Sequence, residues 1–293
     1  MSVLEHLEGL GGVARRASLL GLVERADLER GVRVGDVVRD ARGRYALPGA
    51  EQAVRTAASL GGVLCLTNAA LHHGWAVKAV PAVPQVIVSR GRTVRGARRA
   101  IVHRAELTPA EVDGHWTSQE RTLQDCLRRL PFDEALSVAD SARREGVGQR
   151  VLDRLAADAR GPGSRQLKQV AALCTPLAAN PFESVARAIA LDVPGLRVRP
   201  QVVLEGLGYR PDLVDEHLRL VIECDSFEWH GKRSALERDA RRYNDMVVGG
   251  WLTLRLVHAD VMHRPEAVRR TLLAAVAHAE LMNKGLSALA AAA

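Results

Sequence analysis

No two cysteines of this chain form a CxxC pair. Cys65, Cys126, Cys174 and Cys224 are scattered through 293 residues in apolar surroundings. That spacing excludes the usual zinc frameworks and predicts buried, reduced thiols in a cytoplasmic protein. Aromatic residues make up only 3% of the chain. No Gly-rich phosphate loop or nucleophile motif occurs, so an enzyme of small-molecule metabolism finds no support. Residues 1–10 carry acids and lack an apolar core, unlike a signal peptide. The Ala-rich stretch after Thr271 is broken by His278, Glu280, Asn283 and Lys284 and reads as a terminal helix, not a membrane span. One absence is local. Residues 85–105 contain no acid, yet hold Arg90, Arg92, Arg95, Arg98, Arg99 and Arg104.

What is present fits a globular protein: 47% apolar and 26% charged residues, in a length suited to two or three domains. The formal charge is +7, which points to an anionic partner without deciding it. From Cys174 to the end there are fifteen Lys and Arg and fifteen Asp and Glu, so the whole excess lies before that point.

The pattern along the chain predicts an α+β or α/β protein in three parts. Residues 1–50 read as three short helices and a β-hairpin whose turn is Asp40-Ala41-Arg42-Gly43. This is the pattern of a winged helix-turn-helix, and equally of a small helical subdomain without a nucleic-acid role. Residues 51–160 read as a small α/β unit, with two strands around the Arg-rich loop and a helix capped by Ser118 or Thr117. Gly161-Pro162-Gly163-Ser164 is the best linker candidate. Residues 175–293 alternate as α, β, β, β, α, β, α, which predicts a mixed sheet flanked by helices. Within this part, residues 196–205 read as a strand and Ser234-Ala235-Leu236-Glu237 as a capping box.

The acids of the last part are its most informative residues. Arg210-Pro211-Asp212-Leu213-Val214 and Leu220-Val221-Ile222-Glu223-Cys224-Asp225 are two apolar runs, each carrying acids where a strand is expected. A hairpin centred between His217 and Leu218 sets Asp212 across from Glu223. Facing like charges destabilise a sheet, so a chain that keeps them has a use for them, usually a divalent cation. Oxygen ligands suit Mg²⁺ or Mn²⁺. Alternation puts Glu223 and Asp225 on one face, so Asp212, Glu223 and Asp225 are the candidate metal ligands. Glu183, in the first turn of the preceding helix, is placed to add a further oxygen. Gln201, His230, Asp239 and Arg242 are the nearby polar groups.

These motifs resemble the PD-(D/E)XK nuclease superfamily, and within it the very-short-patch-repair-like endonuclease domains. The resemblance rests on Phe182-Glu183-Ser184, Arg210-Pro211-Asp212, Val221-Ile222-Glu223-Cys224-Asp225, Trp229-His230-Gly231, the run from Leu236 to Asp245, and Gly250-Trp251-Leu252-Thr253-Leu254-Arg255. It covers about residues 180–275. It implies a restriction-endonuclease-like fold, a Mg²⁺ or Mn²⁺ cofactor and a catalytic set of Glu183, Asp212, Glu223, Asp225 and His230. The superfamily's usual lysine is Asp225 here, which leaves His230 as the natural proton acceptor. The resemblance also implies that Arg242 braces the site or meets a phosphate.

The N-terminal half has a resemblance of its own. Gly12-Val13-Ala14-Arg15-Arg16-Ala17-Ser18-Leu19-Leu20 and Gly43-Arg44-Tyr45-Ala46-Leu47-Pro48-Gly49 are similar to the winged helix of AbiEi-type antitoxins. Thr117-Ser118-Gln119-Glu120-Arg121 and Ala139-Asp140-Ser141-Ala142 are similar to the unit that follows it. Such proteins are autoregulators of type IV toxin–antitoxin systems, which implies double-stranded DNA as a partner and a cognate toxin encoded elsewhere. Arg15, Arg16, Arg42, Arg44, Arg90, Arg92, Arg95, Arg98, Arg99 and Arg242 are the expected DNA contacts. Two readings follow: a DNA-binding protein whose C-terminal domain cuts DNA with a metal ion, or an antitoxin-like regulator whose nuclease fold is inactive.

Overall fold

The computed structural model describes residues 2–9, 13–41, 43–94, 99–225 and 233–292. His230 and Arg42, Arg95 and Arg98 lie outside the described residues. The chain divides into two compact units, residues 1–181 and 182–293.

The first unit opens with α1 (Val3–Gly9), β1 (Val13–Arg15), α2 (Arg16–Leu20), α3 (Arg25–Val34), β2 (Val38–Ala41) and β3 (Arg44–Ala46). The strands form an antiparallel sheet in the order β1-β3-β2. Leu7, Leu19, Leu28, Val37 and Tyr45 supply one buried face each and close a small core. Arg15 is the last residue of β1, because residues 13–15 pair with residues 44–46 before α2 begins.

Next come α4 (Gly49–Leu60), β4 (Val63–Leu64), α5 (Leu66–His72), β5 (Gln85–Val88), β6 (Ile101–Arg104), β7 (Val112–Asp113) and β8 (Trp116–Thr117). Their strands form a five-stranded sheet ordered β6-β5-β4-β8-β7. Four helices complete the unit: α6 (Gln119–Arg129), α7 (Phe132–Arg144), α8 (Gln149–Asp158) and α9 (Ser164–Leu173). Ser118 is the N-cap of α6, its hydroxyl accepting from the Arg121 amide. The Gly161–Ser164 stretch, expected as a linker, is instead the turn between α8 and α9. Gly163 has a left-handed backbone and packs directly on the Arg128 main chain.

The second unit contains α10 (Pro181–Leu191), β9 (Arg199–Pro200), β10 (Leu213–Asp215), β11 (Leu220–Asp225), α11 (Arg233–Val248), β12 (Leu252–Val257), α12 (His258–His263) and α13 (Pro265–Ala292). Its sheet runs β12-β11-β10-β9, with β11 and β12 parallel and the other pairs antiparallel. This is the mixed sheet flanked by helices that the sequence pattern predicts. Successive strand residues point to opposite faces. Leu213, Leu220 and Ile222 pack with Phe182, Val185 and Ile189 of α10 and Val268 and Leu272 of α13. Val214 and Val221 pack on the other side, with Leu204 and with Met246 of α11.

The 196–205 strand expected from alternation is reduced to Arg199–Pro200, because Gln201 turns into a left-handed conformation and ends the pairing. Ser234, expected as a cap, lies inside α11, which begins one residue earlier. The β10–β11 turn is fixed by Asp215. Its buried carboxylate accepts the Leu218 amide at 2.9 Å and the Arg197 amide at 2.6 Å. Both carboxylate oxygens are thus satisfied, and the hairpin register is set from its closed end.

Candidate functional site

The register Leu213↔Ile222, Val214↔Val221, Asp215↔Leu220 is the one centred between His217 and Leu218. Continued by one residue, it sets Asp212 opposite Glu223, just past the last rung. Asp212 is half-buried and Glu223 is 6% exposed. The two acids face one another across the hairpin, close enough for each to act on the other's protonation. Two facing carboxyl groups in a partly dry site disfavour each other's ionisation. Burial raises Asp212 above the usual carboxylate range, against the stabilising pull of the Cys224 amide, the Gln201 side chain and Arg242. Burial likewise pushes Glu223 up, to about 7, with Arg242 opposing and the Asp212 charge adding. Both acids are therefore shifted toward their protonated forms.

Main chain and neighbouring side chains hold these acids in place. Asp212 Oδ2 accepts the Cys224 amide at 2.8 Å, and Oδ1 accepts Gln201 Nε2 at 3.2 Å. Glu223 Oε1 accepts Arg242 Nη2 at 2.5 Å. Arg242 comes from α11, its guanidinium lying 5.7 Å from the Tyr209 ring centroid. By spacing Arg242 shares a helix face with Asp239, yet the structure turns it onto Glu223.

Asp225 is engaged elsewhere. It pairs with Arg255 of β12, whose guanidinium stacks over Tyr243, 4.5 Å from the ring centroid. Glu183 is 7% exposed in the first turn of α10. Burial drives the Cys224 thiol well up, and the charges of Asp212, Glu183 and Glu223 add to the shift. The structure thus sets Asp212 opposite Glu223, buries Glu183 in the first turn of α10, and commits Asp225 to Arg255.

A divalent ion can be weighed against this donor set. Asp212 and Glu223 offer oxygen only, and burial pushes both toward the protonated form, so a cation there would relieve two poorly compensated charges. Hard cations such as Mg²⁺ take one or two carboxylates and keep several waters. The pair fits that chemistry. Among the described residues no group of three His, Cys, Asp or Glu side chains is gathered to hold a metal, so any ion here would be held by two carboxylates and water.

Residues 182–276 match the REase_MTES_1575 family model, a restriction-endonuclease-like family. The match falls on the unit that carries Glu183, Asp212, Glu223 and Asp225, and it supports a nuclease-like C-terminal domain. Over 253 residues the chain is 27% identical to two Mycobacterium tuberculosis sequences, the uncharacterized proteins MT2308 and Rv2248. The alignment spans 82% of this chain and 93% of each relative. A crystal structure of the RV2827C protein from the same organism covers 63% of this chain and 78% of its own, at 16% identity and a TM-score of 0.29. That likeness is too low to carry an argument.

The expected DNA contacts fall into distinct settings. Arg15 of β1 is paired in register with Arg44 of β3, and Arg16 opens α2, half-buried. Arg90, Arg92 and Arg99 are exposed. Arg104 turns back on its own loop, its Nη1 donating to the carbonyls of Arg90 at 3.1 Å and Arg92 at 2.9 Å. It holds the Arg-rich loop in shape instead of presenting a free charge. Among the described residues no helix is long and apolar enough to cross a membrane.

Sequence reasoning quoted Arg255 in a family motif but gave it no role at the site. Its signal was a lone cation inside the apolar run 252–257, on the strand that pairs in parallel with the acid-bearing one.

Proposed function

We propose that the C-terminal unit hydrolyses DNA phosphodiesters with Mg²⁺ or Mn²⁺ held by Asp212 and Glu223. The observation that carries this reading is the half-buried Asp212 set opposite the buried Glu223 across the hairpin. A bound divalent ion would supply positive charge to a phosphoryl oxygen and to water. The chain's own residues supply orientation and charge. The Cys224 amide and the Gln201 side chain fix the Asp212 carboxylate. Arg242 neutralises Glu223 when no cation is present and is free to turn to a phosphate when one is. Glu183 adds an acid near the pair, and His230 is the group we assign to accept the proton from water. By resemblance the products are a 5′-phosphate and a 3′-hydroxyl.

In the same reading the N-terminal unit grips duplex DNA. The order α1-β1-α2-α3-β2-β3 with a three-stranded sheet supports a winged helix. The exposed Arg90, Arg92 and Arg99, in the half that carries the net charge, support phosphate contacts. Binding should weaken steeply as salt rises, because neutralised phosphates release counterions.

A second reading, an antitoxin-like regulator with an inactive nuclease fold, is favoured by one observation. Arg242 on Glu223 and Arg255 on Asp225 already neutralise two of the four candidate acids. End-labelled duplex incubated with Mg²⁺ or Mn²⁺ separates the two. Metal-dependent products with 5′-phosphate ends, lost in Glu223→Gln, support the nuclease. Repression of the protein's own promoter without any cleavage supports the regulator, and with it a toxin partner.

A further inference from the structure

Three described residues other than glycine adopt a left-handed backbone: Leu66, Gln201 and Arg219. Arg219 does so in the tight turn entering β11, where its side chain stacks on Trp251 and donates to the Gly250 carbonyl at 3.1 Å. Gln201 has a different setting. It follows Pro200 at the end of β9, with φ of 56°, and its amide donates to the Asp212 carbonyl at 3.1 Å. The left-handed turn comes directly after that bond. It ends the β9 pairing and brings Nε2 to Asp212 Oδ1 at 3.2 Å.

The conformation has a cost that the contact itself does not offset. A Cβ in the left-handed region crowds the following carbonyl, and glycine or asparagine tolerates the region better. One neutral donor at 3.2 Å gives a modest net return in a half-exposed setting. Stability therefore favours glycine here, whereas the side chain that is present reaches Asp212. With the Cys224 amide on Oδ2, the Gln201 amide completes a grip on both oxygens of one carboxylate and fixes its plane. Strained residues whose side chains meet a site are where fold stability has yielded to positioning.

We infer that Gln201 is a positioning residue: it orients the Asp212 carboxylate toward the divalent ion. The inference rests on the metal-dependent reading of the Asp212–Glu223 pair. Gln201 touches neither the ion nor the substrate, and acts through Asp212. Supporting groups of this kind typically change metal affinity by about 10- to 100-fold when removed.

Glycine at this position separates positioning from folding, since it removes the amide and relieves the backbone at the same time. Calorimetric titration of the full chain with Mn²⁺, alongside metal-free thermal melting, should be run on wild type, Gln201→Gly, Gln201→Asn and Asp212→Asn. Gln201→Gly should melt at the wild-type temperature or above, yet bind Mn²⁺ about tenfold more weakly or worse. Gln201→Asn keeps an amide suited to the backbone, but is one methylene too short to reach Oδ1, and should show the same split. Wild-type Mn²⁺ affinity in Gln201→Gly, with binding lost in Asp212→Asn, would overturn the role of Gln201 alone. A fall in melting temperature and affinity together in both Gln201 variants would make Gln201 a folding residue and overturn it too. No Mn²⁺ binding by wild type at millimolar concentration would overturn both this inference and the reading beneath it.

Discussion

Asp212 stands opposite Glu223 at the open end of the β10–β11 hairpin, one step beyond the last paired rung, Leu213 with Ile222. At the closed end of the same hairpin, Asp215 accepts two backbone amides and sets the turn. One acid thus fixes the register, and the register forces the other two together. The repulsion this creates is relieved by protonation, by Arg242, or by a metal ion.

The upward shift of this pair can be tested without any metal. Folded Glu223 is held at about 7 against an ordinary 4.5, mainly by burial. Between those values the folded chain binds more protons than the unfolded chain. The contribution to stability is therefore complete below about pH 4.5 and is lost as pH rises through about 7. Asp212, also raised, acts in the same direction. In EDTA, the urea midpoint of wild type should fall across that window relative to Glu223→Gln. Arg242→Ala removes the charge that opposes the shift and should extend the fall above pH 7.

Asp225 offers a contrast within the same strand. It shares a face with Glu223, but its carboxylate is taken by Arg255. Asp225→Asn should change Mn²⁺ affinity by no more than a few-fold, while Asp212→Asn should remove measurable binding. Calorimetry of the two variants side by side checks this. A larger loss in Asp225→Asn would place that residue on the ion.

Gly163 separates a packed turn from a flexible linker. A Cβ there would lie 2.5 Å from the Arg128 carbonyl oxygen, on a backbone with φ of 74°. Gly161 has a similar φ of 72° but open space around it. Gly161→Ala should cost about 1–2 kcal/mol for its backbone alone. Gly163→Ala adds overpacking against a main chain and should cost about 2–5 kcal/mol. Urea denaturation of the two variants measures the difference.

Much of the site could be read from local pattern. The turn position followed from the polar Asp215-Glu216-His217 between two apolar runs, and it alone places Asp212 across from Glu223. The pairing of residues distant in sequence was not legible in the same way. Alternation puts Glu223 and Asp225 on one face, but only the β11–β12 register shows that Arg255, opposite Glu223, reaches Asp225. Alternation over 196–205 also cannot reveal that Gln201 leaves the extended region after two paired residues. The Arg-rich loop reads as uniform charge in sequence, whereas Arg104 spends its guanidinium on carbonyls of its own loop. In Gly161–Ser164, left-handed glycines served a close approach to Arg128, and composition alone does not distinguish that use from looseness.

The central claim is that the Asp212–Glu223 pair is a metal-dependent centre for cutting DNA. Its most direct test is nicking of supercoiled plasmid by the purified full chain in Mg²⁺ or Mn²⁺, with EDTA and Asp212→Asn prepared identically. The account predicts nicking by wild type with either ion, none in EDTA, and loss in Asp212→Asn while DNA binding is retained. Intact plasmid with the wild type under both ions, or nicking that Asp212→Asn leaves unchanged, would contradict it.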